Sequence, residues 1–243
     1  MVEMKEEKAV DKEELAKAES LLHQKKKERK QLIQLIILIA VIAVILALAS
    51  GTFSGLKFSS APNALPVDTL HDLNKQGKLS KDRGYMYGDH SIVKNDGLWW
   101  SDVYVLGTLY KTPLHFGPKE LENITISGQL NDSFNQQQDI YLAINPETSD
   151  KYYSLAVSEL SLNLAKVMNR APIGACTTKN DLVCPERKVV SCTNPNGSPT
   201  IELELSDTPS IQLQGSCIKI TGREYGLTRA VDRLLYRWYG VMQ

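Results

Sequence analysis

From Leu32 to Ala49 the chain reads LIQLIILIAVIAVILALA, a run in which Gln34 is the one polar side chain and no charge, Gly or Pro occurs. As a helix, this run is roughly 27 Å long, close to the thickness of a bilayer's hydrocarbon core. A helix satisfies its own backbone hydrogen bonds, so such a run can cross lipid unaided. Core helices of small domains rarely stay apolar on every face over such a length. We therefore expect a transmembrane helix over residues 32–50, with the lipid bilayer as its first partner. Lys25, Lys26, Lys27, Arg29 and Lys30 stand just before it, whereas residues 51–70 hold one basic residue, Lys57. Basic flanks are retained in the cytoplasm. The expected topology is therefore single-pass in the cell membrane, with the N-terminus cytoplasmic and residues 51–243 extracytoplasmic.

Two rival readings use the same residues. Ala47-Leu48-Ala49 fits the small-x-small pattern of a signal peptide cleaved after Ala49. Against it, the 30 residues before the span's edge are long for a signal's leading region and carry eight acids. A pilin-like packing helix is the other, but no Gly or Ala processing site directly precedes Leu32. The segments then divide as a charged, helix-favouring cytoplasmic tail (1–31), the span (32–50), a linker or stalk (51–84) and a folded domain (85–243). The stalk begins GTFSGLKFSSAPNALP, whose Gly, Ser, Ala and Pro suit a connector. The tail is either a short docking helix or a solvated helix whose basic end meets anionic headgroups.

Within the outer part, 67–83 suggest one short helix. Residues 85–93 read as an extended run, Asn95-Asp96-Gly97 as a tight turn, and Leu98–Leu109 and Thr108–Phe116 as two further strands. Together they give a three-stranded antiparallel meander. A helical turn follows at Pro118–Leu121, then strands near 123–129 and 139–145. Residues 153–169 read as a mostly buried helix capped by Ser149 or Asp150, with Val157, Leu160, Leu164, Val167 and Met168 on one face and Leu155 and Leu162 widening the arc. Strands at Lys188–Cys192, Thr200–Leu205, Ile211–Leu213 and Cys217–Thr221 precede a closing helix at 227–239. Ile201, Leu203 and Leu205 alternate with Glu202, Glu204 and Ser206, the pattern of a strand with one buried face. The expected class is α/β or α+β, a two-layer domain with a mixed β-sheet and two main helices.

All four cysteines, Cys176, Cys184, Cys192 and Cys217, lie in this outer part. An even number outside the membrane points to disulfides. We favour Cys176–Cys184, closing a small loop around Asn180-Asp181, with Cys192–Cys217 linking two strands. A four-cysteine zinc site is the rival, weakened by the lack of any C-x2-C knuckle. Asn123, Asn131 and Asn196 each begin an Asn-x-Ser/Thr acceptor pattern for glycosylation.

Several longer segments point to a family. They are the aromatic run Tyr85–Trp100, the stretch 116–124 (FGPKELENI), Tyr153–Asn163, the cysteine series, Cys217–Gly222, and Ala230–Met242. Over most of the outer domain the chain resembles a family of single-span, membrane-anchored extracytoplasmic proteins of archaea. The resemblance implies the cell-envelope address and carries no assigned activity.

Chemistry is sparse. Basic and acidic residues balance at 28 each, so no cationic face for nucleic acid is expected. His71, His90 and His115 share no ligand spacing, and neither a metal nor a cofactor is expected. No G-x-S-x-G elbow, P-loop or Rossmann glycine fingerprint occurs, so no catalytic residue is assigned. Glu159 stands in the helix expected to be buried, where a carboxylate needs a partner. Arg229, Arg233 and Arg237 recur every four residues on the last helix with Asp232 beside them, a candidate cationic binding ridge. Trp99 and Trp100 point to opposite sides of their strand, so at most one is core, and the other is either exposed, where it could stack on a sugar, or covered by the linker. The leading expectation is a binding or structural module for an envelope protein or glycan. An extracytoplasmic hydrolase, favoured by a cleft that gathers Glu159 with another acid or a His, is the alternative, as is an accessory subunit of a membrane complex. Protease added outside intact cells should digest residues 51–243 and spare the tail; a protected C-terminal domain would reverse the topology.

Overall fold

A computed structural model of the chain describes residues 65–243, Asp181 excepted. The tail and the expected span lie outside the described residues, and none of the described helices is long and apolar enough to cross a membrane. The described part is α+β, with two sheets.

Helix α1 (Val67–Lys75) opens it, followed by strands β1 (Gly84–Tyr87), β2 (His90–Asn95), β3 (Leu98–Val105) and β4 (Thr108–Leu114), which form an antiparallel sheet in that order. The expected run over 85–93 is in fact two strands. Gly88 breaks it, taking a φ of 55° in a two-residue loop between Tyr87 and His90. A glycine adopts that left-handed conformation at no steric cost. The Asp96-Gly97 turn forms as expected between β2 and β3. α1 packs on this sheet through Leu70, His71 and Asn74. His71 Nδ1 lies 3.0 Å from Ser91 Oγ and its Nε2 3.5 Å from Asp102 without a hydrogen bond, so this histidine is a buried group between α1 and the sheet.

A single 3-10 turn (Pro118–Glu120) leads to the second sheet. It contains β5 (Thr125–Leu130), β6 (Asp139–Ile144), β7 (Ala171–Cys176), β8 (Thr200–Leu205), β9 (Ser210–Gly215) and β10 (Cys217–Gly222) in the order β5-β9-β10-β8-β6-β7. Only β9 and β10 pair antiparallel, so the sheet is mixed. A short helix, α2 (Asp132–Gln136), and the strand β7 add to the elements expected from the sequence. Helices α3 (Lys151–Lys166) and α4 (Tyr225–Trp238) are the two main ones. Asp150 caps α3, its Oδ1 accepting from Tyr153 N–H at 2.8 Å. Gly222 is required where β10 turns into α4: a Cβ there would stand 2.5 Å from the Leu227 nitrogen.

Alternation along the strands divides this sheet into two faces. Ile140, Leu142, Ile201, Leu203, Ile211, Leu213, Ile218 and Ile220 join one core with Leu160 and Leu164 of α3 and Leu227, Val231, Leu234 and Leu235 of α4. On the opposite face stand Ala143, Glu202 and Cys217. The expectation that β8 buries only one face is corrected here, because Glu202 is itself buried. The reason is the segment 177–199, which lies over that face. Its Cys192 N–H donates to Glu202 Oε2 at 2.5 Å, and Cys192 is bonded to Cys217. Cys176 is bonded to Cys184, giving the pairing favoured from the sequence. Asn180 turns the small loop, its Oδ1 accepting from Leu182 and Val183 N–H at 3.1 Å each. Lys188–Cys192 is not a strand: it makes only isolated bridges, Cys176 with Val189 and Ser191 with Asn194.

The Cys192–Cys217 bond closes a sequence separation of 25 residues. Replacing both cysteines by Ser should cost about 3 kcal/mol in a denaturant titration. A loss near zero would show that the covering loop holds its face without the bond.

Candidate functional site

Residues 115 and 116 leave β4 between the two main helices. His115 Nδ1–H donates to Glu159 Oε2 of α3 at 2.8 Å. The Phe116 N–H donates to Asp232 Oδ2 of α4 at 2.8 Å. Asp232 is fully buried and Glu159 is 7% exposed, whereas the His115 side chain is 30% exposed. The three groups form a chain from the interior toward solvent. Burial first, then the charge of Glu159 and a carboxyl–carboxyl hydrogen bond with it, hold Asp232 well above the ordinary carboxylate range. The neutral carboxyl thus formed can donate its O–H to Glu159. The bond to Glu159 in turn lifts His115 above the usual imidazole value.

Helical spacing explains why these residues meet. Glu159 and Asn163 are one turn apart on α3, and Asp232, Tyr236 and Tyr239 follow one face from α4 into its C-cap. Asn163 Oδ1 accepts from Tyr239 Oη at 2.6 Å, and its Nδ2–H donates to the Glu159 carbonyl at 2.8 Å. A polar seam therefore runs between two otherwise apolar helices. Burial raises the phenols of Tyr236 and Tyr239; Tyr239 donates to Asn163, whereas Tyr236 Oη is buried without a hydrogen-bond partner among the described residues.

Where His115 and Glu159 reach the surface they border a cleft of about 440 Å³. One wall comes from β3 and β4, with Leu98, Trp100 and Pro113; the other comes from α3, with Leu155 and Leu162. Leu162 is 54% exposed. Leu155 and Leu162 were expected to extend the buried arc of α3; they instead line this cleft, because the sheet stands off from the helix here. Trp99 and Trp100 divide as alternation requires. Trp99 packs in the core, 5.3 Å edge-on from Tyr85, while Trp100 faces the cleft with its indole fixed by Nε1–H donation to Asn95 O at 3.3 Å.

The arginine ridge is divided between three settings. Arg229 lies 4.8 Å from the Phe116 ring. Arg233 donates to the Gln243 carbonyl at 2.5 Å, and burial lowers its pKa. Arg237 is exposed beside Asn135 and Trp238. Asp232, expected at their side, points into the interior instead. Asn123, Asn131 and Asn196 are all exposed; Asn131 also caps α2, accepting from Phe134 N–H at 3.3 Å. His90 begins β2 at the hairpin and joins neither His71 nor His115 in a site. Among the described residues no group of three or more His, Cys, Asp or Glu is placed to hold a metal ion. Asp232 is the site residue that pattern reasoning overlooked. Its signal was an acid on the apolar side of α4, one position past Val231 and three before Leu235.

Compared with protein-family models, curated proteins and solved structures, the chain gives no match.

The protonation of Asp232 carries a sign. Its folded pKa is raised, so the stability it confers is full below the ordinary carboxylate value of about 3.9 and is lost as pH climbs toward its folded value. His115, also raised, acts in the same direction above the usual imidazole value. Asp232→Asn keeps an acceptor for Phe116 N–H and a donor toward Glu159, so it should cost less than about 1 kcal/mol and flatten the fall of Tm with rising pH. Asp232→Ala should cost about 3 kcal/mol, from the cavity and the unpaired N–H. A wild-type profile no steeper than that of Asp232→Asn would contradict a proton held on Asp232.

Proposed function

We propose that this chain is a membrane-anchored, extracytoplasmic protein whose outer domain binds a small, largely apolar ligand in the cleft between β3–β4 and α3. The observation that carries the reading is the cleft itself. Its volume falls in the range of small-molecule sites, which are mostly apolar with a few placed polar groups. Trp100 and the exposed Leu162 offer the apolar walls, and His115 and Glu159 the polar floor. The address rests on other observations. Two disulfides fit an oxidising compartment, the Leu32–Ala49 run supports an anchor, and the resemblance to single-span archaeal proteins points the same way.

Hydrolysis is the second reading, because the cleft brings Glu159 together with a histidine, His115. Asp232, however, is fully buried and has no surface to offer a substrate. Glycoside hydrolysis by an acid pair needs the two groups at least about 5 Å apart with substrate between them. What remains is His115, a base oriented by Glu159. Its Nδ1 is taken by Glu159, and all four cysteines are in disulfides, so no thiol nucleophile is left.

Binding is tested with an environment-sensitive apolar fluorophore titrated against the purified domain. Trp100→Ala should weaken binding roughly tenfold, the scale of losing one buried aromatic contact. Unchanged affinity would remove the cleft as the site. Turnover of chromogenic esters that disappears in His115→Ala would replace this reading by the hydrolytic one.

A further inference from the structure

The charges around the cleft select among apolar ligands. Of the residues lining it, Lys111, Lys166 and His115 are basic and Glu159 is the one acid. Glu159 is already engaged, its Oε2 accepting from His115. Asp232, directly behind it, is fully buried and cannot face a ligand. Lys166 is exposed at the end of α3 and makes no ion pair among the described residues. Lys111 pairs with Asp68 of α1, but both side chains are solvent-accessible, so the pair is weak and its cation can be shared. A ligand thus meets apolar walls and a rim of cationic donors, with no unengaged carboxylate among the lining residues.

We infer that the cleft takes an amphiphile with one apolar tail and a single carboxylate head, the head placed among His115, Lys111 and Lys166 and the tail against Trp100 and Leu162. This rests on the proposal that the cleft binds an apolar ligand and adds the chemistry of its head. A carboxylate accepts from several donors at once, and charge-assisted hydrogen bonds of this kind are about twice as strong as neutral ones. An alkylammonium head would meet the same cations and be repelled. An alcohol would bind through its tail alone.

Three ligands with identical tails separate these cases: dodecanoate, dodecanol and dodecyltrimethylammonium, each titrated below its micelle-forming concentration into the purified chain in calorimetry. Dodecanoate should bind roughly tenfold tighter than dodecanol, the scale of one charge-assisted hydrogen bond, and the ammonium weakest. Lys166→Gln, at an exposed position that folding does not depend on, should reduce the carboxylate-to-alcohol ratio, and His115→Gln should reduce it further. Equal affinities, or a preference for the ammonium, would overturn the head-group assignment while leaving an apolar cleft. Failure of all three to bind would overturn the cleft as a ligand site and the assignment with it.

Discussion

Two buried carboxyl groups, Glu159 on α3 and Asp232 on α4, set the arrangement on which the rest of this domain depends. Burial first, and then the charge of Glu159, raise the Asp232 carboxyl well above the ordinary carboxylate range and so favour its protonated form. The pair is then an asymmetric link, with a neutral acid behind and an acceptor in front. Each member takes one further bond to the segment that leaves β4: Glu159 from the His115 ring and Asp232 from the Phe116 N–H. Consecutive residues thereby tie the meander to both helices covering the mixed sheet. Loss of one partner would leave an unpaired buried polar group, which costs more than the bond itself contributes.

The same tie opens the cleft. β3 and β4 reach α3 at His115 and stand off from it beyond that point, so Trp100, Leu155 and Leu162 are left facing a gap rather than one another. The mixed sheet's other face is held differently. Segment 177–199 covers it through two disulfides, the bond from Cys192 to Glu202 and a small apolar cluster of Val190 with Ala143 and Ala175. That division suits a domain of modest size, in which covalent links supplement a core concentrated on one side.

Much of the fold could be read from residue patterns. The hairpin turn at Asp96-Gly97, the Asp150 cap and the cysteine pairing each have a local chemical cause. The elements that escaped have weaker local signals. β7, Ala171–Cys176, holds Pro172 and Gly174 and has little intrinsic strand preference; pairing with β6 makes it a strand. Gly88 was visible, yet its meaning depended on β1 and β2 pairing. Of the site, Glu159 and Trp100 were legible as residues in need of a partner or a role. His115 and Asp232 were not, because they lie 44 and 73 positions from Glu159, and only helix packing makes them its neighbours. The arginine spacing of four, conspicuous in sequence, divided among an aromatic ring, the chain terminus and solvent.

The most direct test of this account is the ionisation state of Asp232, followed by carbon-13 NMR of its side-chain carboxyl across a pH titration, with Asp232→Asn used to assign the signal. The account predicts a carboxyl carbon that keeps its protonated position well above the ordinary carboxylate value of about 3.9. A signal that moves with the exposed aspartates, near the ordinary carboxylate value, would show an ionised Asp232. The neutral-carboxyl link between the two helices would then be wrong.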